Sequence, residues 1–158
     1  MVAFGNLRPI NSNNHKLVLY YDPKSPNPNS VKIDAVSEDS DTAQWNGTGL
    51  PPGNLYLIHT GANAHGTLYL TMADDKPNQP TYMEKWLGSG NQYDPRQVWL
   101  IASWEGGQRS FITMKGHILQ APNINEKSSV IVGAYPEYNT DNPKPKGAGQ
   151  IWLGSTKA

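Results

Sequence analysis

The chain contains no cysteine. That excludes a disulfide framework, a thiolate zinc site and a thiol nucleophile. Charge is also scarce. Asp, Glu, Lys and Arg make up 16% of the residues, and 13 basic against 13 acidic residues leave no formal net charge. A balanced chain carries no electrostatic footprint for nucleic acid or an anionic membrane surface. No apolar run is long enough to span a bilayer as a helix. The first residues, Met1 to Asn6, lack the basic start and apolar run of a secretory leader. A cytoplasmic location without membrane insertion is therefore expected, with the Asn46-Gly47-Thr48 sequon unused. Helical periodicity is missing as well.

What the chain has in quantity is turn chemistry. Gly (15) and Pro (13) are abundant, and Asn, Ser and Thr fill much of the rest. That mixture suits many short strands joined by tight turns. A length of 158 residues suits one domain over residues 1–158 with one core.

Tryptophan then organises the chain. Gln97-Val98-Trp99 lies past the middle, Gln150-Ile151-Trp152 lies near the end, and Gln44-Trp45 is a degraded early copy. The three tryptophans are 54 and 53 residues apart. A near-constant period points to a threefold internal repeat over residues 5–50, 51–103 and 104–155. Each copy follows one order: strand, turn, strand, polar loop, strand, loop, strand. Lys16–Asp22, Thr67–Met72 and Gly116–Gln120 are the second strands. Val31–Ile33, Thr81–Trp86 and Ser129–Ala134 are the third. Asn6–Asn11, Gly53–His59 and Arg109–Thr113 are the first, with Pro9 demoting its strand to an edge or a strand end. Units this small bury no core alone, but three around a pseudo-threefold axis share one. The glutamine carries both donor and acceptor, so it suits a side chain that ties down a backbone bend.

This pattern resembles the ricin-B type of β-trefoil over essentially the whole chain. The single-domain length and missing cysteines look most like the cysteine-free fungal members. That group includes lectins, protease inhibitors and the lectin-like light subunit of mushroom tyrosinase. The resemblance implies an all-β β-trefoil and carbohydrate binding in shallow pockets, up to one per repeat. In galactose-binding members each pocket uses a strand-two Asp, an aromatic after the third strand and an Asn before Gln-x-Trp. Here the Asp position falls at Val18, Tyr69 and Leu119. The Asn position falls at Thr42, Arg96 and Gly149. Both groups are absent three times, so the fold is implied without the usual galactose pocket.

A sugar needs an aromatic face for its C–H side and planar amides or carboxylates for its hydroxyls. Loops deliver such groups best. Three clusters carry them: Tyr20, Tyr21, Asp22, Asn27 and Asn29; Asp74, Asp75, Asn78, Tyr82, Glu84 and Trp86; and Tyr135, Glu137, Tyr138, Asn139, Asp141 and Asn142. The bland alternative for each is a solvated loop with one aromatic packed on the rim. Trp45, Trp99 and Trp152 belong to the core. Trp104, beside Gly106-Gly107, is a candidate for exposure. His59 and His65 straddle a turn and are placed to approach each other. His15, His65 and His117 open second strands, as turn residues repeated by symmetry. No three- or four-ligand metal set, calcium loop, phosphate loop or nucleophile elbow is present. The expectation is a non-enzyme with no cofactor and no metal, whose partners are glycans of galactose or mannose type, and in addition a protein partner or a second copy of itself. Two alternatives stay open. One is a non-catalytic subunit of a larger enzyme such as a tyrosinase. The other is a protease inhibitor presenting Lys24 on the proline-bearing loop Pro23–Asn29.

Overall fold

A computed structural model describes residues 1–10, 16–24, 29–51, 53–135, 144–145 and 147–155. Fourteen strands follow in order: β1 (Val2–Gly5), β2 (Leu7–Pro9), β3 (Val18–Asp22), β4 (Ser30–Asp34), β5 (Trp45–Leu50), β6 (Leu55–Asn63), β7 (Gly66–Met72), β8 (Thr81–Glu84), β9 (Trp99–Ser103), β10 (Gln108–Ile112), β11 (Ile118–Gln120), β12 (Ser128–Ser129), β13 (Ile131–Gly133) and β14 (Trp152–Gly154). Among the described residues the only helical segments are single 3₁₀ turns at Pro95–Gln97 and Glu105–Gly107.

Six strands close a barrel. β1 and β2 flank Asn6 and together make one interrupted strand, pairing with β5 on one side and β14 on the other. The ring continues through antiparallel pairs β5–β6, β6–β9, β9–β10 and β10–β14. Closure leaves these strands no open edge. Six of the remaining seven strands form three hairpins, β3–β4, β7–β8 and β11–β13, and β12 lies outside them. The hairpins pair with one another in a cycle. Ser30 of β4 meets Tyr82 of β8, Pro80 bridges Ile131, and β12 returns to β4.

One register runs through all three hairpins: Leu19 faces Ile33, Leu70 faces Met83, and Leu119 faces Val132. The tryptophans lock onto that register. Trp45 Nε1 donates to the Leu19 carbonyl at 2.9 Å, Trp99 to Leu70 at 3.1 Å, and Trp152 to Leu119 at 3.3 Å. All three indoles are buried in a core shared with Leu7, Ile58 and Phe111 of the barrel. Each thus buries a large apolar surface while its N–H stays satisfied. Among the described residues, Asn29, Asn78 and Lys127 are the non-glycine residues with positive φ, lying shortly before β4, β8 and β12 respectively.

The glutamines tie bends, as their chemistry suggests, in two copies. Gln97 is buried; its oxygen accepts from Leu87 N, and its amide donates to Lys85 O and Thr71 Oγ1. Gln150 donates to Ala134 O at 2.9 Å. Gln44 stands next to its tryptophan, so its place in the frame is that of Val98 and Ile151, and its amide reaches only the Glu38 carbonyl. Buried Ala43 takes the glutamine's position, and Asn6 supplies the tie, donating to Ala43 O at 2.9 Å and Glu38 O at 3.2 Å.

Several expected bounds shift. The first strand, expected over 6–11, instead starts at Val2, is interrupted at Asn6 and ends at Pro9, its two halves pairing with different neighbours. The third strand of the middle repeat ends at Glu84, before Trp86, where Gln97 takes over the backbone bonding of Lys85 and Leu87. Ser129–Ala134 divides at Val130, since β12 pairs with β4 and β13 with β11.

Candidate functional site

A polar cavity lies where the middle repeat's loop, residues 73–80, meets the third hairpin. It holds about 320 Å³ and is lined by Pro77, Asn78, Gln120, Ala134, Tyr135, Gly147 and Gln150. Its first wall is clamped by backbone. Asn78 adopts φ +69°, a left-handed conformation that asparagine tolerates better than most residues. In that geometry its N–H donates to Val132 O at 2.7 Å, while Val132 N donates to Gln79 O at 2.8 Å. Asp75 anchors the same loop from beneath. It accepts from Thr113 Oγ1 at 2.5 Å, His117 Nδ1 at 2.8 Å and Lys115 N at 3.0 Å.

The second wall comes from the third repeat. Gln120 ends β11 and donates to Ala148 O at 3.0 Å. Gly133 on β13 leaves room for it, since a Cβ there would lie 2.1 Å from Gln120 Oε1. Gln150 fixes the carbonyl of Ala134, and Tyr135 follows directly. By the shared register, Val36, Trp86 and Tyr135 hold one position in the three repeats. The lining offers one aromatic ring and three side-chain amides, with neither a carboxylate nor a cation among these residues. That chemistry suits a neutral, hydroxyl-rich ligand.

The sequence candidates separate in space. Asn78 and Tyr135, assigned to different clusters, meet in this cavity. Tyr21 is corrected: it is buried in phase with Leu17 and Leu19, and its hydroxyl bonds Asn63. Strand alternation sends every second residue of β3 into the core. Asp75 is corrected too, because its carboxylate is consumed by Thr113, Lys115 and His117. Asp22 is half-buried, facing Lys32 at 3.6 Å and accepting from Lys24 N. Asp74 caps the backbone N–H of Asp75 and pairs with Lys76; these contacts hold its carboxyl below the usual range. Trp86 is 41% exposed and lies over Gly88. Tyr138, Asn139 and Asp141, with Glu137 and Asn142, lie outside the described residues, as does Asn27. Gln120 and Gln150 were not among the sequence candidates for binding. The only signal for Gln120 is its outward place, two residues past Ile118 on one strand.

Where the first repeat would hold a galactose-type pocket, Val18, Tyr20, Val36 and Ala43 pack as an apolar cluster. Burial there, reinforced by Asp34 and Asp22, pushes the Tyr20 hydroxyl up to about 12. The register moves the third Asp position from Leu119 to Ile118, since Leu119 is the tryptophan's acceptor. His59 and His65 do not pair with each other. His59 bonds Thr48 Oγ1 at 2.8 Å and packs on Tyr69, while His65 packs edge-on against Tyr21. His117 bonds Asp75, and His15 lies outside the described residues. Trp104 is half-buried, its indole donating to Ser110 Oγ at 2.9 Å.

No protein-family model matches the chain. No curated protein matches it either. Solved structures do. A designed threefold symmetric protein, ThreeFoil, superposes with TM-score 0.68 at 17% identity, over 94% of each chain. The fold is a β-trefoil. A mosquitocidal holotoxin matches with TM-score 0.65 at 19% identity over 96% of this chain, which spans 17% of the toxin's length. A Polyporus squamosus lectin, solved with the epitope Neu5Acα2-6Galβ1-4GlcNAc, matches with TM-score 0.62 at 14% identity. This β-trefoil covers 94% of its own length in that match and 46% of the lectin's. At these identities the likeness is one of architecture.

Proposed function

We propose that this β-trefoil is a carbohydrate-binding protein without catalytic activity, acting in the cytoplasm. Its site is the cleft between the middle repeat's loop and the third hairpin. The observation that carries this is the convergence of Asn78, Gln120 and Tyr135 from separate stretches of chain. Tyr135 supplies a face for the C–H side of a pyranose, and the amides donate to and accept from its hydroxyls. A neutral hexose of galactose or mannose type fits a lining without charge. The lectin of the same fold supports the reading. A glycan array followed by calorimetry tests it. Neutral glycans should bind, and Asn78→Ala and Tyr135→Ala should each weaken binding about tenfold or more. An array without neutral hits, or a Tyr135→Ala variant that binds like the parent, removes this assignment.

A second role has its own observation. Leu50, Pro51, Leu55, Tyr93, Pro95, Val98 and Met114, together with Asn91 and Gln92, line a mainly apolar hollow of about 410 Å³, with Tyr93 41% and Met114 52% exposed. Such a patch is what a non-catalytic subunit of a larger protein would present. A Met114→Glu, Tyr93→Glu double variant should lose any partner that the parent retains from its native extract. Sedimentation as a monomer with nothing retained argues against this role.

A further inference from the structure

The barrel register exposes a second polar pocket that the cleft above does not use. Its volume is about 300 Å³, and its lining is Asn6, Arg8, Val18, Glu38, Leu153, Gly154 and Ser155. The residue after each core tryptophan pairs with one residue of a neighbouring barrel strand: Asn46 with His59, Leu100 with Ile112, and Leu153 with Arg8. Arg8, His59 and Ile112 therefore hold one position in the three repeats. At Ile112 nothing polar needs a partner. At His59 the ring bonds Thr48 and is covered by Tyr69. At Arg8 the residue in Tyr69's place is Val18, which is too small to cover it, and the pocket stays open.

Arg8 is half-buried, and among the described residues its guanidinium makes no hydrogen bond or ion pair. Other half-buried cations are matched: Lys32 by Asp22, Lys144 by Glu105, and Arg109 by the Phe4 ring. Glu38 lines the same pocket but is not within ion-pairing distance of Arg8. A half-buried guanidinium has five donors to satisfy, and its fork matches a carboxylate in two-point geometry. Ser155 Oγ accepts from Asn6 N at 2.9 Å and keeps its own hydrogen to donate. Gly154 holds that backbone close: a Cβ on it would lie 2.7 Å from the Phe4 carbonyl.

We propose that this pocket binds a sugar acid. Its carboxylate would sit on Arg8, and its hydroxyls would donate to Glu38 and accept from Ser155. The carboxylate follows from Arg8 alone; the sugar part rests on the carbohydrate-binding role proposed above. The full chain is titrated with sodium D-glucuronate and sodium N-acetylneuraminate, with D-glucose and sodium acetate as controls. At least one sugar acid should bind saturably and both controls at least about tenfold more weakly. Arg8→Gln should lose about tenfold or more, and Arg8→Lys, which keeps the charge without the fork, should fall between. Thermal melts of both variants check that they fold. Tyr135→Ala should bind the sugar acid like the parent, which separates this pocket from the neutral-sugar cleft. Sugar-acid binding that survives Arg8→Gln, or no saturable binding by the parent, overturns the proposal. Acetate binding as tightly as glucuronate overturns the sugar assignment, and loss in Tyr135→Ala places the ligand in the cleft instead.

Discussion

At the scale of single residues, two glutamines of like sequence context do different things. Gln97 makes three hydrogen bonds from a buried position, whereas Gln44 makes one to a loop carbonyl. Gln97→Ala leaves several buried groups unpaired and should cost about 2–3 kcal/mol in urea unfolding. Gln44→Ala should change stability by about 0.5 kcal/mol or less. His59 sets a pH dependence. Gly61 N–H donates to its Nδ1 at 3.1 Å, so the neutral ring carries its proton on Nε2, toward Thr48. Burial lowers its pKa from 6.5. The unfolded chain then binds the proton more readily than the folded one. This contribution is fully present above the unfolded value and is lost as pH falls through 6.5 toward the lowered folded value. Thermal melts from neutral to mildly acidic pH should show that decline in the parent. His59→Gln should show a flatter profile, with its melting point lower near neutrality.

At the scale of elements, the decisive one is the loop 73–80. Asp75 holds it to the 113–117 turn without lining the cleft itself. Asp75→Ala should destabilise the fold by about 2–4 kcal/mol, because Thr113, Lys115 N and His117 lose a shared acceptor. It should also weaken neutral-sugar binding by displacing Asn78, a loss seen in calorimetry well below the melting temperature. The hairpins were legible in the sequence, since alternation in Leu17, Leu19 and Tyr21, or in Leu68, Leu70 and Met72, is local. That alternation also carried the signal that Tyr21 faces inward, which its place in an aromatic cluster outweighed. The cleft was only half legible. Asn78 and Tyr135 are recognisable as sugar-binding residue types. Their meeting depends on the Pro80–Ile131 bridge and on a left-handed asparagine, both products of contact between repeats. Asp75 misleads for the same reason: a loop carboxylate looks solvated until the partner turn is known.

At the scale of the molecule, the threefold frame is legible because three large indoles mark it. The break in the frame at Ala43 and Asn6 is not, because the substitute tie comes from a distant strand. The first and last described strands adjoin, with Ser155 N donating to Asn6 O at 2.9 Å. Gly53, by contrast, sits in a turn with nothing within 4 Å of a Cβ. A permuted chain, joined across the old ends and opened at Gly53, should refold with unchanged circular dichroism and lose no more than about 2 kcal/mol. A permutant that stays unfolded would show that the order of synthesis is required as well as the register. The register carries one last consequence. The three repeats share their indole-to-carbonyl hydrogen bonds but not their outer faces: one is filled by Val18, Tyr20, Val36 and Ala43, one presents Trp86, and one opens beside Tyr135. Among the described residues one face then offers the cleft proposed above for a neutral sugar. On that proposal a monomer has valency one for the neutral sugar, so it should coat a surface of neutral glycans without bridging two, and beads bearing only that sugar should stay dispersed in its presence.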